Sequence, residues 1–247
     1  MELPDRYFLE LEFAARIAKL SKRQRAELEG LLGDSPDLRN VPEETWQRWE
    51  QENRDQFLTI LLLIAASSAE FHGSDPGDEI IATTLTGWAD QRSKEVASDI
   101  SMTTRNRLTE FFAEIERARL DRPLGPLPGD DDVDPTDPDE IWKRLDEEIE
   151  SLYGEKRADS IAKNETTAAQ TIGGEIGIEA TVGLSPDDVW LNHPELSQAG
   201  PCQICAPLHN QSRSMWGRFF PDGPPGPHPG CVCSIQYANV GKELAAQ

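Results

Sequence analysis

Every cysteine of this 247-residue chain lies in one stretch, CQICAPLHNQSRSMWGRFFPDGPPGPHPGCVC, at residues 202–233. The residues able to bind a metal are Cys202-x2-Cys205 and, after a long proline-rich loop, His228-x2-Cys231-x-Cys233. A Cys-x2-Cys turn brings two thiolates to one ion, and a His and Cys three apart do the same from a second turn. Five candidates for four tetrahedral positions leave one to spare. The spacing favours Cys202, Cys205, His228 and Cys231, with Cys233 as substitute or close neighbour and His209 as a weaker candidate. Two other states fit the same residues: disulfides linking one pair to the other, and unpaired thiols. A bond within Cys231-x-Cys233 is disfavoured because so small a ring is strained.

The energetics of this stretch point to a crosslink. It has few large apolar groups (Ile204, Leu208, Met215, Trp216, Phe219, Phe220, Val232) to offset roughly 1–2 kcal/mol of backbone entropy per ordered residue. A structural zinc contributes on the order of 10–16 kcal/mol apparent in small zinc domains. Zinc in a structural role is therefore the expected cofactor. Trp216, Phe219 and Phe220 are expected to cover the site.

The elements that must position this segment read as helices. Residues 3–20 place Leu3, Tyr7, Phe8, Leu11, Ala14, Ala15 and Ala18 at helical spacing, and 22–32 read as a short charged helix. After GDSPDLRNVP, residues 42–71 run without Gly or Pro beyond Pro42, which is expected as a first helical residue with Glu43 and Glu44 behind it. Trp46 and Trp49 are expected in a core, and the second half of this helix, ILLLIAA included, is apolar nearly all round. Residues 78–120 read as a third long helix with a stripe of Leu108, Phe111, Phe112 and Ile115. Residues 121–139 form an acidic, Pro-rich linker; Asp130-x-Asp132-x-Asp134 within it lacks the glycine a calcium loop needs. Asp137, Pro138 and Glu140 then signal a helix start. That helix is expected to end near Tyr153. Residues 155–180 read as a helix whose Gly173, Gly174 and Gly177 imply close approach of another backbone. His72 and His193 lie in turn-like sequence and are expected to be solvated. The expected fold is mainly α: a helical N-terminal bundle (1–120), the linker (121–139), and an α+β C-terminal module (140–247) closed by the Cys/His segment.

Composition narrows the function. There are 45 Asp+Glu against 24 Lys+Arg, a formal charge of -21. No stretch is basic, which argues against a groove that neutralises nucleic-acid phosphates. The longest apolar run, residues 60–66, is far short of the roughly 20 residues that span a bilayer, and the N-terminus lacks the basic-then-apolar pattern of a signal peptide. The expectation is a soluble protein made in the cytoplasm, where clustered cysteines more often bind metal than pair.

CQICAPLHNQ followed by PPGPHPGCVCSI resembles the closing signature of phage minor head proteins, the Mu F-like head-morphogenesis family. Its members show Cys-x2-Cys, then Leu-x-Gly, then Pro-Pro-x-His-Pro-x-Cys-x-Cys. Here these are Cys202, Cys205 and Leu208, then Pro224, Pro225, His228, Pro229, Cys231 and Cys233. Upstream, YGEKRADSIAKNETTAAQTIG is similar to the family's Tyr…Arg-Ala…Ile-Ala-Arg-Thr-Glu-Thr helix, through Tyr153, Arg157, Ala158, Ile161, Ala162, Glu165 and Thr166. Asn210 stands where Gly is usual, Gly226-Pro227 lengthens the step to His228, Lys163-Asn164 replaces Arg-Thr, and an Asp-x-Arg before the first Cys is absent. The resemblance spans about residues 140–235. It implies a minor capsid component of a tailed phage or prophage-derived particle, made in a bacterial cytoplasm and built into the virion. Its implied partners are the portal and major capsid proteins; some members carry fused enzymatic domains, and nothing in this sequence looks like one.

Two other function classes share the cysteine pattern. One is a cellular zinc-bearing adaptor. The other is a metal-dependent hydrolase with Glu165 as base, although a Glu on a helix more often forms a salt bridge, and a metal held by three thiolates is too electron-rich to favour hydrolysis.

Overall fold

A computed structural model describes residues 6–34, 36–120, 137–193, 202–221, 223–224 and 231–240. Five long helices dominate: α1 (Arg6–Leu32), α2 (Glu43–Phe71), α3 (Glu79–Leu120), α4 (Pro138–Tyr153) and α5 (Glu155–Thr181). A short β1 (Val189–Leu191), a single-turn α6 (Arg213–Trp216) and β2 (Ser234–Gln236) complete it. The chain is mainly α, with a small two-stranded sheet beside the cysteines. No helix among the described residues is long and apolar enough to cross a membrane. Residues 121–136, including the three alternating aspartates, lie outside the described residues.

Helix starts follow the local chemistry. Asp137 caps α4 by accepting the Asp139 amide, with Pro138 as first helical residue. Asp78 caps α3 through the amides of Ile80 and Ile81. Pro42 sits one position earlier than expected, as an extended N-cap with ψ 149. Residues 6–32 form one helix rather than two, since nothing between 20 and 22 breaks it.

Two helical cores alternate along the bundle. Phe13, Ile17, Phe57, Ile60, Leu61, Ile64 and Leu85 pack with Ala158, Ala162 and Ala169 in one. Leu28, Leu32, Trp46, Trp49, Leu108, Leu145 and Ile149 form the other. Helices α4 and α5 thus share their cores with α1, α2 and α3. The amphipathic α4 contributes Ile141, Leu145, Ile149 and Leu152 at steps of three and four. Trp46 and Trp49 meet edge to face at 5.1 Å.

The inward face of α1 differs from the expected stripe. Tyr7, Phe8 and Leu11 are exposed, whereas Phe13, Ile17, Leu28 and Leu32 are buried. Apolar residues surround the first turns, so periodicity does not select a face there. Long-range bonds do: the buried Arg6 guanidinium donates to Gln170 Oε1 (3.0 Å) and Thr167 Oγ1 (2.8 Å) on α5.

Helices α2 and α5 approach each other closely. Gly173 faces the Ala65 backbone and Gly177 that of Ala69, so tightly that a β-carbon at 173 would lie 2.1 Å from the Ala65 carbonyl oxygen. The buried Ser68 and Ser74 hydroxyls reinforce the seam by donating to the Gln170 and Gly177 carbonyls. Helix α3 is tied to α5 by a fork from Arg92 to Glu165, at 2.7 and 2.8 Å. Asn164 donates to the same carboxylate at 2.8 Å. This carboxylate is held as an ion-pair partner in a buried position.

His72, expected in solvent, is half-buried at the end of α2. Its ring meets Phe71 at 5.2 Å and Tyr237 at 5.0 Å, both edge to face. Burial disfavours the imidazolium and lowers the pKa from 6.5 to about 4. The unfolded chain takes up this proton near pH 6.5, whereas the folded chain resists it until about pH 4. Stability is therefore complete above pH 6.5 and declines as pH falls towards 4. The loss is expected to be about 1–2 kcal/mol, less than the full shift implies because the ring keeps some contact with water. Urea melts of the wild type and His72→Phe between pH 7 and 4 check this: the decline should be shallower in the variant.

Candidate metal centre

The C-terminal module stands on the second half of α5. Its core contains Ile178, Trp190, Cys205, Trp216, Cys231, Cys233, Ile235 and Tyr237. β1 and β2 pair antiparallel with Trp190 opposite Ile235. Cys231, Val232 and Cys233 lead directly into β2, and Cys205 begins the 3-10 turn Ala206–Leu208.

Asp188, which the sequence reading did not single out, organises the module. Its fully buried carboxylate accepts the amides of Ser185 (3.1 Å) and Ala238 (2.9 Å) and the Arg213 Nε (3.3 Å). Arg213 also bonds Glu175 at 2.5 Å and lies over the Trp216 ring at 4.8 Å. The local signal was Ser185-Pro-Asp-Asp188, a turn pattern in which the last Asp returns to the first amide. Trp216 is buried against Trp190 at 5.5 Å, and Phe220 packs 6.0 Å from Trp190. Phe219 is 73% exposed and does not cover the cysteines.

Three sulfurs converge. Cys205, Cys231 and Cys233 are all buried, with sulfurs within 4.8 Å of one another. Cys233, the spare ligand in the sequence reading, is part of this group; Cys202 is half-buried and outside it. His228 lies outside the described residues. His193 Nε2 is 2.8 Å from the Ser234 hydroxyl, and His209 Nδ1 accepts the Asn192 amide at 3.1 Å. No disulfide joins any of the four cysteines.

The group fits a metal ion on two grounds. An ion with about 2.3 Å metal–sulfur bonds in a tetrahedron sets its sulfurs about 3.8 Å apart. The Cys205 and Cys231 sulfurs are 3.8 Å apart. The second ground is charge. The bond to Cys231 raises the Cys205 pKa far above the ordinary thiol value, with the bond to Cys233 and burial adding to it. Cys231 is pushed up to about 12, because the bond to Cys233 and burial outweigh the lowering by Cys205. Cys233 is the thiol driven down, by the bonds from Cys205 and Cys231, then by the Trp190 indole and the nearby His193. One thiolate forms readily, and it opposes the ionisation of the other two. A bound cation reverses this opposition, and all three become ligands together. This buried group of three cysteines could hold a metal ion.

The loop carrying Cys231 is anchored to α5. The Thr167 hydroxyl accepts from Arg6 at 2.8 Å and shares its one hydrogen between the Cys231 carbonyl at 2.7 Å and the Lys163 carbonyl at 2.9 Å. Asn210, whose amide donates to the Trp190 carbonyl at 2.8 Å, adopts φ +62, alone among the described non-glycine residues in the left-handed region. Glycine or asparagine accepts that conformation at little cost, and a β-branched residue does not. Asn210→Gly is expected to leave thermal stability almost unchanged and Asn210→Val to lose about 1–2 kcal/mol. Equal melting temperatures for the two variants would contradict the strained position.

Comparison of the chain with protein-family models, with curated proteins and with solved structures finds no match to any of them.

Proposed function

We propose that this chain is a structural minor head protein of a tailed phage or prophage-derived particle, with its C-terminal module closed by a zinc ion on Cys205, Cys231 and Cys233. The observation that carries this reading is the meeting of its two motif regions. The helix resembling the family's Ile-Ala-x-x-Glu-Thr segment and the Cys-x-Cys ending, far apart in sequence, join through Thr167 and Cys231. Asn210 adds support: it occupies the family's glycine position in a conformation that glycine favours.

In this reading the zinc acts as a crosslink. It ties the turn after Cys202 to β2, and Thr167 and Arg6 tie β2 to the bundle. Glu165 has no part in metal chemistry, since both of its oxygens accept from Arg92 and Asn164. A hydrolase with Glu165 as base therefore finds no support in this arrangement, and the protein is read as a non-enzyme. The acidic surface suits contacts with basic faces of portal and shell proteins better than contact with DNA.

The test is co-expression of the chain with the portal and major shell proteins encoded beside it, followed by gradient purification of assembled particles. Co-sedimentation at a few copies per particle supports the head-protein reading. A chain that stays soluble while particles assemble without it, or a gene with no such neighbours, would favour the cellular adaptor instead.

A further inference from the structure

We infer that Cys202 is the fourth ligand and that the centre is a closed four-cysteine site, an inference that rests on the metal reading above. Cys202 and Cys205 share one turn, closed by the Ala206 amide donating to the Cys202 carbonyl at 2.8 Å. Within that turn the Ile204 amide donates to the Cys202 sulfur at 3.3 Å. An amide aimed at a sulfur fixes the direction in which the sulfur presents its remaining lone pairs. Cys202 packs against the module core beside Cys205. Its sulfur lies outside the group of three, and a change of χ1 well redirects a cysteine sulfur without moving its backbone.

None of the histidines of the described residues belongs to the group that converges with the three sulfurs. His193 bonds Ser234, His209 accepts from Asn192, and His72 is packed between Phe71 and Tyr237 at the end of α2. Four thiolates on a divalent ion leave an excess of two negative charges, which a buried site must offset with donors. The module has such donors. The Trp190 indole N–H is fully buried and lacks a partner at hydrogen-bonding geometry among the described residues. The Asn192 amide lies 3.8 Å from the Cys233 sulfur, and turning it over presents its NH2 group there. A metal in this site has no open coordination position, so its contribution is to hold β2 and the Cys202–Cys205 turn together.

The test uses the full chain, purified reduced and loaded with zinc, then exposed to iodoacetamide with labelling of each cysteine read by peptide mass spectrometry. Cobalt absorption of the wild type, Cys202→Ser, His193→Asn and His228→Asn is read in parallel. The expected result is that zinc protects all four cysteines, with Cys202 labelling about tenfold faster or more once the metal is chelated. Cys202→Ser should lose about a quarter of the sulfur-to-cobalt charge-transfer intensity, one of four bonds, and the histidine variants none of it. Rapid labelling of Cys202 beside three protected cysteines, with the cobalt spectrum altered in either histidine variant, overturns the four-cysteine site and leaves the metal reading intact. Labelling of all four cysteines that is indifferent to zinc overturns both.

Discussion

Replacing Gly173 with alanine is expected to cost about 3 kcal/mol or more, although alanine is the better helix former. The added methyl would sit 2.1 Å from the Ala65 carbonyl oxygen and 2.8 Å from its Cα and carbonyl carbon. Backbone atoms inside a helix cannot rotate away, so α2 and α5 must separate. Separation loosens the packing of Phe57, Ile64 and Ala169 together. Gly177→Ala should cost less, because its nearest contact is 2.8 Å. Gly30, in the interior of α1, has nothing within 4 Å of a built β-carbon. Its alanine variant should gain up to about 1 kcal/mol. Urea denaturation of the three variants settles the matter by their order. If Gly173→Ala were as stable as Gly30→Ala, the α2–α5 contact described here would be wrong.

Metal removal is the second large effect. Chelation should release the Cys202–Cys205 turn and the entry to β2 while sparing the bundle, since the two helical cores contain no cysteine. The near-ultraviolet circular dichroism of Trp190 and Trp216, packed face to edge beside the sulfurs, should collapse. The far-ultraviolet helix signal should change little. The module's loss in stability should be several kcal/mol, below the roughly 10–16 kcal/mol of isolated zinc domains. Asp188, Arg213 and the tryptophan pair provide a framework that such small domains lack. Cys231→Ser should reproduce the effect without chelator, and zinc should not rescue it. Retention of the aromatic signal after complete chelation would show that the module holds itself together unaided.

The parts of the fold legible in the sequence were those set by local chemistry. Asp137-Pro138 marked the start of α4, its end was placed near Tyr153, and the three glycines of α5 announced a close backbone neighbour. The clustering of cysteines also marked the site, since few other residues there could hold a proline-rich segment in place. What escaped sequence reading depended on long-range partners. The buried face of α1 is selected by Arg6 reaching Thr167 and Gln170, more than 160 positions away. His72 is buried because Tyr237, from the far end of the chain, folds over it. Spacing alone ranked Cys202 above Cys233; the pairing of β2 with β1 brings the Cys233 sulfur into the cluster. Asp188 was missed because an Asp in a turn, here beside Asp187, resembles any solvated loop residue until the elements around it close.

Metal content is the most direct measurement of the central claim, that a metal on Cys205, Cys231 and Cys233 closes the C-terminal module. Elemental mass spectrometry of protein purified without chelator, beside Cys205→Ser, should find about one zinc per chain in the wild type and almost none in the variant, with free thiols recovered on denaturation. A metal-free wild type with oxidised cysteines and an intact tryptophan signal would contradict it.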